Sequence, residues 1–399
     1  MNDRDTEGNE PGCLASDILI LHLAGVVLGM RAPRATGFLR DLVEQGFTFN
    51  HFISMKSVYR AMQVTRPGVL ELVERQTTLP GWGEVLIEVE ACGICGADVA
   101  DIERAAPAAA LPRVPGHEVV GRLVALGDGT PSRWKLGQRV GVGRLGGHCN
   151  ECPQCRQGRF QLCEHQPVVG ASCDGGYAEM MIARSTGLVL IPDELDAEEA
   201  APLLCAGLAT FNALKRSGAE AGDLIAVAGI GGLGHMALQY ARKMGFKVAA
   251  VGRGQDIAEA ALALGAHRYI DSAEEDAAGA LQAMGGAQAI LATVGHAETV
   301  STLMAGLAPR GRLVVLGVSK DPLVVPTGPL VADECCVVGS IAGTPYESEK
   351  TLAFSVLTGV RPRIETLPLE HAAEAYRRMK TGAVKFRMVL TMPRTREAH

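Results

Sequence analysis

Four cysteines fall within one short lobe of chain, Cys149, Cys152, Cys155 and Cys163. In the spacing Cys-x2-Cys-x2-Cys-x7-Cys they offer four thiolates to one ion, enough for a closed tetrahedral zinc site with no position left for water. Such an ion fixes a loop that has little apolar material of its own, a structural use of the metal. Four unrelated reduced thiols, or an iron-sulfur cluster, are the competing readings. A second signal is the G-x-G-x-x-G run Gly229-Ile230-Gly231-Gly232-Leu233-Gly234. Alone it is weak, and a glycine-rich structural turn would explain it. It follows the apolar stretch 224–228, however, and opens a helix. In that context the glycines make a tight turn, let backbone approach a pyrophosphate and allow close helix-strand packing, with the anion facing the helix N-terminus. Other reactive types are scattered: Cys95 in Ala-Cys-Gly-Ile-Cys-Gly-Ala-Asp98, His117 and Glu118 in Gly-His-Glu-Val-Val-Gly, and Cys205 in Leu-Leu-Cys-Ala-Gly. Each has an ordinary explanation as a core residue, and spacing alone does not join them.

The elements that must carry these groups are legible in outline. Short alternating segments at 58–64, 70–73 and 84–90 read as strands between Pro-Gly turns. The texture is strand-rich to about residue 201. A helical stretch 201–217 follows, then strand 223–228, the glycine turn, a helix over about 233–244 and a strand 247–251, with further strands at 289–292, 312–316 and 336–338. This β-turn-α-β order predicts a doubly wound parallel sheet. A helix 348–357 and a last strand 386–391 have no obvious place in it and are expected to rejoin the first domain. The ribose-reading position lies at the end of the second strand, where a carboxylate would bond a 2′-hydroxyl. Here the chain runs Ala249-Ala250-Val251-Gly252-Arg253-Gly254. Gly252 makes room and the Arg253 guanidinium suits a 2′-phosphate, so NADP is favoured, while the nearby Asp256 leaves NAD possible.

Composition narrows the class. The 399 residues allow two or three domains, and 47% apolar with 21% charged content excludes wholesale disorder. Lysine plus arginine is 38 against 44 acidic residues, a net charge of −6, which argues against a nucleic-acid partner. Residues 18–30 form the longest apolar run, short of the ~20 that span a bilayer, and an acidic stretch precedes it where an export signal would be basic. No membrane partner and a cytoplasmic location are expected. The first 54 residues differ in texture from the rest and read as an N-terminal extension, packed on the body as a helix, or poorly ordered or mis-assigned with the true start at Met55.

With these motifs in one order, the chain from Met55 to about Met392 resembles the zinc-dependent alcohol dehydrogenases of the medium-chain dehydrogenase/reductase superfamily. The resemblance implies an α/β architecture: a GroES-like β-rich catalytic domain over 55–205, a Rossmann doubly wound parallel-sheet domain over 206–341, and a return to the catalytic domain over 342–394. It implies a catalytic zinc held by Cys95, His117 and Cys205 with the fourth position open, Glu118 beside it as an occasional ligand, and Asp98 orienting His117. The four-cysteine lobe matches the structural zinc, making two zinc ions per subunit. The cofactor-binding set comprises Gly229, Gly231, Gly232, Leu233, Gly234, Gly252, Arg253 and Leu316, with Arg387 placed to reach the pyrophosphate. The activity implied is hydride transfer between a primary or secondary alcohol, or the aldehyde or ketone in reverse, and NADP or NAD. The substrate is a small molecule, and a homodimer or homotetramer is expected. One departure stands out: Ala97 and Ala100 occupy positions where the family carries a hydroxyl and a histidine that relay the alcohol proton, and Ala209 replaces a common threonine. A catalytically silent cofactor-binding homologue and a zinc-independent quinone or enone reductase are the alternatives. The substrate pocket is expected between the 97–113 loops, Leu203 and Val318.

Overall fold

The computed structural model describes residues 57–103 and 111–393; the N-terminal extension and part of the expected pocket loop lie outside them. Strands β1 (Val58–Arg66) and β2 (Val69–Gln76) form an antiparallel ribbon. It is closed by Pro67-Gly68, where Gly68 takes a φ of 79° that a Cβ would disfavour. Strand β3 (Glu84–Ile94) is the axis of a seven-stranded sheet. One of its edges pairs with β4 (Glu118–Leu126); the other is shared by β6 (Met180–Arg184) along Glu84–Glu88 and by β15 (Arg387–Thr391) along Ala91–Ile94. Register breaks between Leu86 and Ile87 and between Val89 and Ala91 bend the strand, as bulges do. The sheet continues through β5 (Arg139–Val142) and β7 (Leu188–Leu190) on one side and β14 (Ile364–Pro368) on the other. The last strand thus pairs within the first sheet.

The second sheet has six strands, all parallel, in the order β10 (Arg268–Asp271), β9 (Lys247–Gly252), β8 (Leu224–Ala228), β11 (Ala287–Ala292), β12 (Leu307–Val315), β13 (Cys336–Gly339). Every residue of β8 is buried, which is why it reads as an unbroken apolar run. Strand order reverses between β8 and β11, and a ligand crevice opens outside the carboxyl ends of strands at such a point.

Two helices differ from their sequence expectation. Residues 201–217 are not one helix: an α-helix Ala197–Pro202, one π-helical turn Leu203–Gly207 and an α-helix Leu208–Arg216 follow one another. Pro202 lacks the N–H that would continue the first ladder, and the wider turn takes up the break. The helix expected at 348–357 begins earlier, at Pro345, because Thr344 and Glu347 close a capping box. A single apolar core runs from Ala91, Val120 and Val189 through Leu204 and Phe211 to Ile225, Met236 and Val314. The broken helix therefore packs on both sheets at once, and it holds Cys205 between them.

Candidate active site

Cys95 follows β3 directly and Glu118 opens β4, and the ladder sets Gly93 opposite Glu118. Strand pairing alone thus delivers Cys95, His117 and Glu118 to one place, and the π turn brings in Cys205. The Sγ atoms of Cys95 and Cys205 are 3.9 Å apart, and Cys205 Sγ is 3.5 Å from His117 Nε2. A tetrahedral zinc with its usual Zn–S and Zn–N bonds requires separations of about 3.8 and about 3.5 Å. The donor set therefore fits the ion. One Glu118 oxygen lies within 4.8 Å of all three other donor atoms. His117 and Glu118 are fully buried while Cys95 and Cys205 are half-buried, so the set opens on its thiolate side.

Charge in this set is organised by neighbours. Asp98 Oδ1 lies 2.7 Å from His117 Nδ1, while Oδ2 accepts from Cys95 N and from Tyr177 Oη, both at 2.9 Å. That arrangement keeps the proton on Nδ1 and turns the Nε2 lone pair toward the thiolates. A hydrogen bond from Cys205 holds the Cys95 thiol well below its usual range, and Cys205 is correspondingly raised. Glu118 Oε1 pairs with Arg387 Nη2, while Oε2 is buried without a protein partner. Burial pushes Glu118 up to about 7 even though Arg387 pulls it down. Gly93 is required beside it, since a Cβ there would lie 1.9 Å from Glu118 Oε2.

Arg387 also links this centre to the glycine turn, because a Cβ on Gly232 would lie 2.8 Å from its Nη1. Gly229 has a φ of 92°. A Cβ on Gly231 would meet nothing within 4 Å, so the backbone is open to a ligand, whereas one on Gly234 would lie 1.8 Å from the Gly229 carbonyl oxygen. Leu233 leads into the helix Gly234–Lys243, and Leu316 sits at the end of β12 with its N–H on Ala292 O. Gly252 closes β9 under Tyr269, whose Oη would be 2.5 Å from a Cβ there, and Arg253 is exposed. The neighbouring acid Asp271 is already engaged by Gly254 N, Gln255 Nε2 and Ala273 N.

In the cysteine lobe, Cys149 Sγ is 3.9 Å from Cys155 Sγ and 3.6 Å from Cys163 Sγ, and all four sulfurs lie within 4.8 Å of one another. This is again zinc geometry. Cys149 is held at about 5, first by His165, a neighbour the cysteine spacing did not announce. Tyr177 and the pair Arg144–Asp101 were likewise missed, since nothing in their local sequence marks them. Of the expected pocket walls, Leu203 is wholly buried in the core and lines no open space, while Val318 is 93% exposed. Ala97 is exposed and Ala100 half-buried, so neither position supplies a proton-carrying group.

Family models match on both sides of this centre: the alcohol dehydrogenase GroES-like domain over residues 81–193 and the zinc-binding dehydrogenase over 232–356. The chain is 42% identical over 323 residues to alcohol dehydrogenase patD of Penicillium expansum, covering 81% of this chain and 94% of that one. It belongs to the zinc-binding alcohol dehydrogenases of the medium-chain dehydrogenase/reductase superfamily. Among solved members of this fold, the acetophenone reductase of Geotrichum candidum in complex with NAD superposes with a TM-score of 0.74 at 26% identity, over 85% of this chain and 98% of its own. A putative zinc-binding dehydrogenase of Sinorhizobium meliloti bound to NADP gives 0.75 at 26% identity, over 84% and 100%. The chain is thus an alcohol oxidoreductase of the zinc-binding type, acting on a small molecule. Neither the silent homologue nor the zinc-independent reductase is favoured. Among the described residues no helix is long and apolar enough to cross a membrane.

Proposed function

We propose that the protein is a zinc-dependent, NADP-preferring dehydrogenase that interconverts a primary or secondary alcohol with its aldehyde or ketone, with two zinc ions per subunit, working in the cytoplasm as a homo-oligomer. The observation that carries this reading is the convergence of Cys95, His117 and Cys205 at zinc-ligand separations beside the glycine turn. When bound, zinc supplies a Lewis acid for the substrate oxygen, and the nicotinamide supplies the hydride acceptor or donor. The protein's own part is positioning. Asp98 fixes the His117 tautomer, Glu118 and Arg387 neutralise one another in the buried wall, and Arg387 stands over the turn that takes the pyrophosphate. In this reading the domains meet at about residues 205 and 341, and the cleft lies between the β-rich and the parallel-sheet parts.

Preference for NADP follows from the end of β9. There Asp271 is already engaged by Gly254 N and Ala273 N, while the exposed Arg253 offers a guanidinium to a 2′-phosphate; the nearby exposed Asp256 keeps NAD as the second cofactor. Relatives of this fold bind either cofactor, so the pocket and not the fold decides. A panel of alcohols and aldehydes assayed with each cofactor, with zinc counted per chain, tests the reading. Turnover with NADP above NAD and about two zinc ions per chain is expected; fully zinc-loaded protein that turns over nothing would sink it.

A further inference from the structure

Ala97 and Ala100 carry no polar group beside the metal set, yet one polar pair borders it that neither motif contains. Asp101 lies one turn beyond Asp98 on the short helix Asp98–Glu103, and its carboxylate falls within 4.8 Å of the Asp98 and His117 donor atoms. Arg144 stands two residues past β5 and grips Asp101 with both terminal nitrogens, Nη2 donating to Oδ1 at 3.0 Å and Nη1 to Oδ2. Nη1 also reaches the Val169 carbonyl at 3.4 Å. Burial opposes the Arg144 charge, but Asp101, together with the charges of Asp98 and Cys205, outweighs it and holds the pKa above the ordinary value. Through Asp101 the guanidinium thus stands at the border of the metal set, on the side of His117. Its side chain is 24% exposed against 8% for Asp101, so the arginine is the outer member of the pair.

A guanidinium carries five N–H donors in a rigid fork, and the contacts above engage three. A two-point clamp on a carboxylate fixes the plane of that fork, so the remaining donors are aimed before any ligand arrives. We propose that Arg144, aimed by Asp101, is a specificity-determining residue that donates to a second oxygen on the substrate. The enzyme then selects alcohols and carbonyl compounds bearing an acceptor oxygen close to the reacting carbon over their hydrocarbon counterparts. This rests on the reaction centre assigned above, because the pair acquires this role only if substrate binds at the Cys95, His117 and Cys205 site.

The test uses zinc-loaded enzyme and aldehydes matched in size: tetrahydrofuran-2-carbaldehyde against cyclopentanecarbaldehyde, and 2-carboxybenzaldehyde against 2-methylbenzaldehyde. A site built to bond an oxygen rejects the analogue lacking it, so kcat/KM should favour at least one oxygen-bearing member by about ten-fold or more. In Arg144→Met that ratio should fall to within about two-fold, and in Asp101→Asn, which keeps the guanidinium but loses its clamp, to an intermediate value. Zinc content and Tm of each variant are measured alongside. Should Arg144→Met not fold, Arg144→Lys, which keeps charge but not the fork, is read by the same ratio. A wild-type ratio near one in both pairs, or an Arg144 variant that slows both members equally, overturns the inference while leaving the dehydrogenase reading intact. Absence of turnover with any member overturns both.

Discussion

Asp98 shows how much of this centre depends on one carboxylate. It takes the Cys95 N–H and the Tyr177 hydroxyl on one oxygen and faces His117 Nδ1 with the other, so it holds the Cys95 backbone and the His117 ring at once. An asparagine has a single acceptor oxygen and would point its amide hydrogens at a donor. Asp98→Asn should therefore weaken zinc at the Cys95, His117 and Cys205 site by about 10- to 100-fold, measured by competition with a chromophoric chelator; an unchanged affinity would show that the ligands hold their geometry without it. The proposed cysteine-lobe zinc, which would be held by other residues, serves as the internal reference. Tyr177 could not be read from its surroundings in sequence, where it resembles any buried aromatic. Its hydroxyl matters only because β1 and β6 fold it over Asp98, which lies 79 positions away.

At the scale of elements, the glycine turn and the π turn pose opposite problems. The glycine turn is largely a local device: strand, turn and helix are contiguous, and Gly234 closes on the Gly229 carbonyl within one stretch of chain, while Gly229 and Gly232 also face the distant Val294 and Arg387. Gly234 packs on backbone, not on a movable side chain, so Gly234→Ala must shift the helix or the turn. Destabilisation of about 1–3 kcal/mol and at least a ten-fold weaker Kd for NADP are expected, read by thermal melting and by quenching of protein fluorescence; a variant with native affinity would show that the turn yields easily. The π turn is not a local device. Its sequence, Leu-Leu-Cys-Ala-Gly, reads as ordinary helix, and what departs from helix there is set by Pro202 and by packing on two sheets. Cys205 is delivered to His117 across 88 positions by that packing.

At the scale of the whole molecule, the six-stranded sheet ends in an open edge. Among the described residues β13 pairs only with β12, and three of its four residues are exposed. Val337 within it and Ile341 just beyond it are exposed by 36 and 44%. A parallel strand with an unpaired edge and exposed apolar side chains is a template for association, and the proposed homo-oligomer would cover it with a second copy. Val337→Asp should then shift the protein toward monomer in sedimentation velocity, by about ten-fold or more in the dimer dissociation constant. An unchanged sedimentation coefficient in an oligomeric protein would place the interface elsewhere.

Local chemistry was decided by the sequence itself: the four-cysteine lobe, the glycine turn and the end of β9 each lie within one short stretch, where spacing and backbone rules act without help from distant chain. The parallel sheet was legible for the same reason, because βαβ units are sequential. What only the tertiary structure decided is the meeting of Cys95, His117 and Cys205, the network through Tyr177, and the Arg144–Asp101 pair. Each joins residues separated by tens of positions, and their approach is set by strand register and by how one broken helix packs between two sheets, quantities that no local pattern encodes.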